Sequence, residues 1–228
     1  MTDLAIFDID GTLTTFQDEE EECFNKTVLE VLGVSDFSRD WGSYMNVTYS
    51  GFVIEIMQKQ LGRSPSETEL EKFEDAFIKL YGPIVRAGNP IKREILGANE
   101  MLTQLRGTEN VQLAIATGNW RRVAELKLGG ARVDITGIPM ATSNDALSRE
   151  DIMISAYQMA ADLNGEQSFE KITYVGDGEW DAEASKNLNY DFIGITTKIS
   201  KEVFDKYGAK AVFKDYSDPA AFLEALLK

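Results

Sequence analysis

Asp8-Ile9-Asp10-Gly11-Thr12-Leu13-Thr14 follows directly on the apolar run Leu4-Ala5-Ile6-Phe7. The run has the length and character of a buried strand, and the two carboxylates fall where it should end. Strand side chains alternate, so residues two apart point the same way; Asp8 and Asp10 are expected to aim at one place. Gly11 lets the chain turn sharply around that place. Two anions facing one spot repel unless a cation lies between them or one keeps a proton. Magnesium, a hard ion held by a few carboxylates and by phosphate oxygens, suits such a site. The plainer alternative is an Asp- and Gly-containing turn that merely closes a strand.

Working outward, further apolar runs read as buried strands at Val111 to Ala116, Ile138 to Ala141, Ile172 to Val175 and Phe192 to Ile195, with a sixth around Ala211 to Phe213. Their continuity, rather than alternation, suggests parallel strands covered on both faces. Helical patterns intervene at residues 97–106, 119–128, 149–163, 179–188, 200–207 and 218–227. Strand–helix alternation of this kind predicts an α/β fold with a doubly wound sheet, whose ligands bind beyond the carboxyl ends of the strands.

Residues 15 to about 90 break the alternation, holding helices and no convincing strand. Phe24, Val28 and Leu32 share one face ahead of a stop at Gly33. Ser50 is read as the cap of a helix running through Met57 to Gly62, and Ser64-Pro65-Ser66-Glu67 as a capped start with a reciprocal Glu. Leu70, Phe73, Phe77 and Leu80 form an apolar packing stripe. An insertion placed after the first strand would sit above the binding edge as a lid, with hinges near Thr14–Phe16 and Gly88–Pro90.

Composition narrows the chemistry. The chain has 228 residues, 43% of them hydrophobic, enough for one sizeable domain carrying an insertion. It contains no histidine, which removes His-based triads, imidazole bases and His-bound zinc. The formal net charge is −15, which disfavours nucleic acid and anionic membranes as partners. No apolar run reaches membrane-spanning length and no basic-then-apolar leader is visible. Cys23, the only cysteine, is expected to pack, and the lack of an internal disulfide fits a cytoplasmic protein.

Three more signals fall at strand ends. Thr117-Gly118-Asn119 follows the second strand, where a hydroxyl and helix-start amides could hold a phosphate oxygen; alternatively Thr117 and Asn119 only cap the helix. Gly176-Asp177 follows the fourth, with Asp181 one helical turn further on, so that both could face the Asp8/Asp10 site. Arg149 opens the helix before that strand and offers fork geometry to phosphate, or else pairs with a surface acid.

With these motifs together the chain resembles the haloacid dehalogenase superfamily, in its magnesium-dependent, phosphoglycolate-phosphatase-like branch. Asp8 to Thr14 matches the first motif, Thr117 the second, and Gly176-Asp177 with Asp181 the fourth. Arg149 falls where the third motif's basic residue belongs, although that residue is most often Lys followed by Pro; Lys127 is the other candidate. The resemblance implies a Rossmann-like core of residues 1–14 and 91–228 and a helical cap of residues 15–90. It implies that Asp8 attacks phosphorus to form an aspartyl-phosphate, while Asp10 protonates the leaving alcohol and then activates water. Magnesium would be bound by the Asp8 side chain, the Asp10 backbone carbonyl and Asp177, supported by Asp181. Thr117, Arg149 and the Gly118 and Asn119 amides would hold the phosphoryl oxygens.

The expected activity is hydrolysis of a small phosphorylated metabolite. A phosphotransferase or phosphomutase acting on a sugar phosphate is the nearest alternative, and a non-catalytic regulatory module a more distant one. Asp10 argues against dehalogenase and phosphonate-cleaving chemistry, whose family members replace that Asp. Selectivity is expected from the cap, with Arg39, Tyr44, Asn46, Thr48 and Arg86 as polar candidates.

Overall fold

The computed structural model describes residues 2–15, 18–88, 93–165, 168–196 and 199–228. Among them, six strands pair in parallel in the order β3-β2-β1-β4-β5-β6. These are β1 (Asp3–Phe7), β2 (Val111–Ala116), β3 (Met140–Ala141), β4 (Ile172–Gly176), β5 (Asp191–Ile195) and β6 (Ala211–Phe213). The expected doubly wound sheet is present, and β1 lies inside it between β2 and β4, where strand order reverses. Such a switch point opens a crevice beyond the strand ends.

The apolar runs explain the layering. Ala5 and Phe7 of β1 point into one cluster with Met101, Leu102 and Leu105 of α4 (Ala98–Arg106), Leu128 of α5 (Arg121–Ala131) and Phe222 of α9 (Pro219–Leu227). Leu4 and Ile6 point the other way, onto Ile152, Met153 and Ala156 of α6 (Arg149–Asn164), Ala182 of α7 (Glu179–Leu188) and Phe204 of α8 (Lys201–Tyr207). Burial of both faces removes the polar alternation of a half-exposed sheet.

Among the described residues between β1 and α4 lie α1 (Asp18–Thr27), a wide π turn over Val28–Leu32, a 3₁₀ turn over Trp41–Ser43, α2 (Tyr49–Leu61) and α3 (Glu67–Ala87). An apolar cluster centred on Phe24, Phe52, Phe73, Phe77 and Tyr81 lies in this segment, and Trp120 and Val123 at the start of α5 join it. Cys23 packs there, as expected, and Gly33 ends the first helical stretch at φ 69°.

Four local expectations need correction. The third strand starts at Met140 instead of Ile138, because Pro139 has no N–H for a ladder. Thr48, not Ser50, caps α2, accepting from the Gly51 amide at 3.1 Å. The capping box of α3 is Ser66 with Glu69, two residues later than read; Pro65 precedes the cap. Finally, β1 ends at Phe7, and the Ile9 carbonyl accepts from Leu13 and Thr14 in a tight turn, so Asp10 is placed by that turn and not by strand alternation. Of the expected hinge residues, Phe16, Asn89 and Pro90 lie outside the described residues.

Candidate active site

Asp8 leaves the end of β1 with its amide still donating to Val175 of β4 at 2.9 Å, which fixes its backbone between two strands. Its carboxylate is buried beside Arg149, whose Nη1 stands 3.4 Å from Asp8 Oδ1. The same guanidinium places Nε 3.3 Å from Asp181 Oδ1, so one cation bridges two buried acids. Ser148 caps α6 immediately before Arg149, accepting from the Asp151 amide, and so sets where this side chain emerges. Burial pushes the Asp8 carboxyl up to about 7; Arg149 opposes that rise, while Asp181 and Asp10 add to it.

Among the described residues, carboxylate oxygens of Asp8, Asp177 and Asp181 lie within 4.8 Å of one another. Gly11 turns at φ 69°, and a Cβ there would collide with the Asp177 carboxylate, so the loop after β1 cradles that group closely. Asp181 accepts from the Gly178 amide at 3.0 Å through Oδ2, whereas its buried Oδ1 has no hydrogen-bond partner and stands 3.3 Å from Arg149 Nε. Hard oxygen donors and an under-satisfied buried acid fit a magnesium ion and would not suit a soft metal.

Asp10 is outside that group of three. Lys127 Nζ lies 2.9 and 2.8 Å from its two oxygens, and Asn119 Nδ2 donates to Oδ2 at 2.7 Å. Asn119 Nδ2 also reaches Thr117 Oγ1 at 2.7 Å, which ties the end of β2 to the same carboxylate. The two candidate cations therefore divide the work: Arg149 serves Asp8 and Lys127 serves Asp10. Burial works against the Lys127 ammonium, but Asp10 and Glu20 outweigh it and hold the amine well charged.

Gly118 packs closely against the segment between β1 and α4. Its carbonyl accepts from the Tyr49 amide at 2.8 Å, and a Cβ on it would lie 2.8 Å from the Val47 carbonyl. Arg149 Nη2 donates to that carbonyl at 3.2 Å, Thr48 Oγ1 to Leu147 at 3.1 Å, and Ser50 Oγ to Ser143 at 3.0 Å. These contacts enclose a cavity of about 390 Å³ whose floor includes Asp8, Asp10, Thr117, Gly118, Asn119, Arg149 and Asp177. Its roof includes Phe24, Trp41, Tyr49 and Phe52, with Arg39 at the edge. Of the polar cap candidates, Arg39 and Thr48 line this cavity; Tyr44 and Asn46 line a neighbouring one, and Arg86 is exposed and lines neither.

Sequence reasoning missed Glu20. It sits in the acidic run Asp18 to Glu22, which reads as solvated surface, yet only 4% of it is exposed. Extending the Phe24–Val28 stripe back by four residues lands on it, and that was the available signal. Tyr49 and Tyr81, both donors to Glu20, were missed with it.

The family model for haloacid dehalogenase-like hydrolases matches residues 2–189. No curated protein sequence matches the chain. Among solved structures, a hydrolase from Pseudomonas syringae superposes with a TM-score of 0.71 at 21% identity, covering 98% of each chain. A presumptive β-phosphoglucomutase from Bacteroides vulgatus gives 0.68 at 19% identity, covering 99% of this chain and 89% of its own. A predicted phosphoglycolate phosphatase from Haemophilus somnus 129pt gives 0.67 at 18% identity, covering 97% of this chain and 98% of its own. At these identities the likeness is one of fold.

Proposed function

Because the chain belongs to the haloacid dehalogenase-like hydrolases, we propose that it is a magnesium-dependent phosphatase of small phosphomonoesters, working through an aspartyl-phosphate. The observation that carries the proposal is the buried Asp8 carboxylate at a strand end, 3.4 Å from the Arg149 guanidinium and clustered with Asp177 and Asp181. A nucleophile so placed can approach phosphorus while the neighbouring cation offsets phosphate charge.

In this reading Asp8 Oδ forms the bond to phosphorus as the ester P–O bond breaks, and Asp10 delivers a proton to the departing oxygen. Asp10 then takes a proton from the water that cleaves the acyl phosphate and regenerates Asp8. Thr117, the Gly118 and Asn119 amides and Arg149 hold the phosphoryl oxygens. Asp8, Asp177 and the Asp10 carbonyl would hold magnesium, with Asp181 behind them; when bound, it would screen carboxylate–phosphate repulsion and stabilise charge on the phosphoryl group. The insertion, residues 15–90, acts as a cap that excludes water and contacts the alcohol half of the ester. A small metabolite in the cytoplasm is the substrate this reading favours.

The phosphomutase alternative needs a cavity that binds a sugar in two orientations. Beside Phe24, Trp41, Tyr49 and Phe52 the same cavity has Glu21, Arg39, Asp40 and Thr48 to meet hydroxyls, so the two readings are separated by assay. The test is phosphate release from 4-nitrophenyl phosphate and a panel of metabolite esters, with magnesium and with chelator. Magnesium-dependent release that Asp8→Asn abolishes supports the proposal. Release that survives either treatment, or isomerisation of a sugar phosphate without release, overturns it.

A further inference from the structure

Lys127 is 5% exposed and has all three donor positions in use. Its ammonium contacts Asp10, the Asn119 side-chain oxygen at 2.7 Å and Glu20 Oε1 at 2.5 Å. Asp10 and Asn119 belong to the sheet domain, but Glu20 comes from α1 of the insertion. Glu20 is committed in turn: Oε1 also accepts from the Tyr49 hydroxyl, and Oε2 accepts from Tyr81 at 3.3 Å. One buried cation is thus shared between a carboxylate of the sheet domain and a carboxylate of the insertion.

This sharing bears on Asp10. A carboxylate gripped through both oxygens by an unshared ammonium is held against that ammonium, since such charge-assisted contacts are strong where water is excluded. Glu20 is a second anionic partner of the same ammonium, and it is available only while the insertion is docked. We infer that Glu20 is a positioning residue for Asp10, acting through Lys127. Docking of the insertion brings Glu20 to Lys127 and divides the ammonium between two acids. Lys127 still contacts both Asp10 oxygens, but a shared ammonium holds them less strongly, so less is lost when the Asp10 carboxyl turns to the bridging oxygen of the ester. Without Glu20, Lys127 has Asp10 as its single anionic partner and draws it toward α5, away from the leaving alcohol. The inference rests on the proposed phosphatase reading, in which Asp10 handles the proton of the leaving group.

The dependence of kcat/KM on leaving group tests it, because kcat/KM reports phosphoenzyme formation. An aryl phosphate with a good leaving group, such as 4-nitrophenyl phosphate, needs little help from an acid; an alkyl phosphate such as glycerol phosphate needs it fully. In Glu20→Gln, which keeps side-chain size, the 4-nitrophenyl ester should lose only a few-fold in kcat/KM. The alkyl ester should lose about 10²-fold, the low end of what general acid catalysis is worth. For the alkyl ester the change should lie in kcat with KM little altered. The double variant E20Q/K127M removes the ammonium that captures Asp10 and should recover part of the alkyl-ester rate, a non-additive result.

An equal loss for every ester, no loss for any, or a double variant slower than E20Q on the alkyl ester would each overturn the inference. Should E20Q fail to fold, the double variant, which buries neither charge, provides the comparison with wild type: a leaving-group dependence as shallow as the wild type's supports the inference, and a steep one overturns it. A wild-type protein that releases no phosphate from any ester with magnesium ends the phosphatase reading itself, a separate result from an active wild type whose E20Q variant behaves uniformly.

Discussion

Arg149 touches Asp8 with one nitrogen and the Val47 carbonyl with another, at 3.4 and 3.2 Å, so the residue beside the proposed nucleophile also senses the insertion. Its third nitrogen faces Asp181 at 3.3 Å. Arg149→Ala should therefore do two things. Loss of a phosphate-oxygen donor should lower kcat/KM by about 10²–10³-fold. Leaving Asp8 and Asp181 buried without their cation should also destabilise the metal-free protein by about 3–5 kcal/mol, the range for a broken buried pair. Arg149→Lys keeps the charge but loses the fork, so it should regain stability more than activity. Denaturant titration beside steady-state kinetics checks both.

Asp8→Asn separates chemistry from folding. An amide cannot attack phosphorus as a carboxylate does, so turnover should vanish. Removing one of three clustered acids should at the same time raise the melting temperature of the metal-free protein, because the buried carboxylate is disfavoured there. Asp10→Asn should also cripple turnover, by about 10²–10⁴-fold, with no comparable gain in stability, since its side chain is already paired with Lys127. A fully active Asp8→Asn protein would remove the mechanism.

The acidic cluster predicts how metal and pH combine. Asp8 moves from an ordinary value of 3.8 to about 7 on burial, so the folded chain holds more protons than the unfolded one between those values. Stability of the metal-free protein should then fall as pH rises through that window. A magnesium ion bound only to the folded state reverses the loss. The rise in melting temperature with magnesium should be small near about pH 5 and larger near about pH 8, by linkage. Differential scanning fluorimetry across pH, with and without the ion, reads this directly.

Much of the candidate site was legible in the sequence because its residues lie where apolar runs stop. Asp8, Thr117 and Asp177 each follow a strand, and an apolar run ending in a hydroxyl or an acid is a one-dimensional signal. The sheet was legible for the same reason: buried parallel strands are continuous apolar words. What failed was resolution among neighbours of equal aptitude. Thr48 and Ser50 can both cap a helix, as can Ser64 and Ser66 with acids at matching spacing, and tertiary contacts choose between them; Ser50 is spent on Ser143 and Trp120. The pairing of Lys127 with Asp10 joins residues 117 apart, which no local pattern encodes. Glu20 was hidden by its neighbours, since an acidic run does not announce which member turns inward.

Gly11 gives a test of the proposed metal site that is independent of the proposed catalytic groups. Its φ of 69° already penalises a side chain, and a methyl there would strike the Asp177 carboxylate. Gly11→Ala should therefore displace Asp177 and weaken magnesium binding, seen as a loss of the magnesium-induced melting shift at concentrations that saturate wild type.

The cavity roof predicts which esters the enzyme prefers. Phe24, Trp41, Tyr49 and Phe52 present ring surface to the alcohol half, and Glu21 and Asp40 line the same cavity with Arg39 as the insertion's cation there. A second phosphate or a carboxylate on the alcohol would meet those acids with one arginine to offset them, whereas an apolar or aromatic alcohol would gain area on the rings at about 25 cal/mol per Å². Specificity constants should thus rank aryl and apolar alkyl phosphates above sugar bisphosphates and phosphoglycolate. Trp41→Ala should compress that ranking, raising KM for the aryl esters several-fold while leaving kcat for the smallest esters near wild type. A wild-type preference for bisphosphates, or a ranking that Trp41→Ala does not move, would show that the rings serve only to pack the insertion and that selectivity comes from the floor of the site.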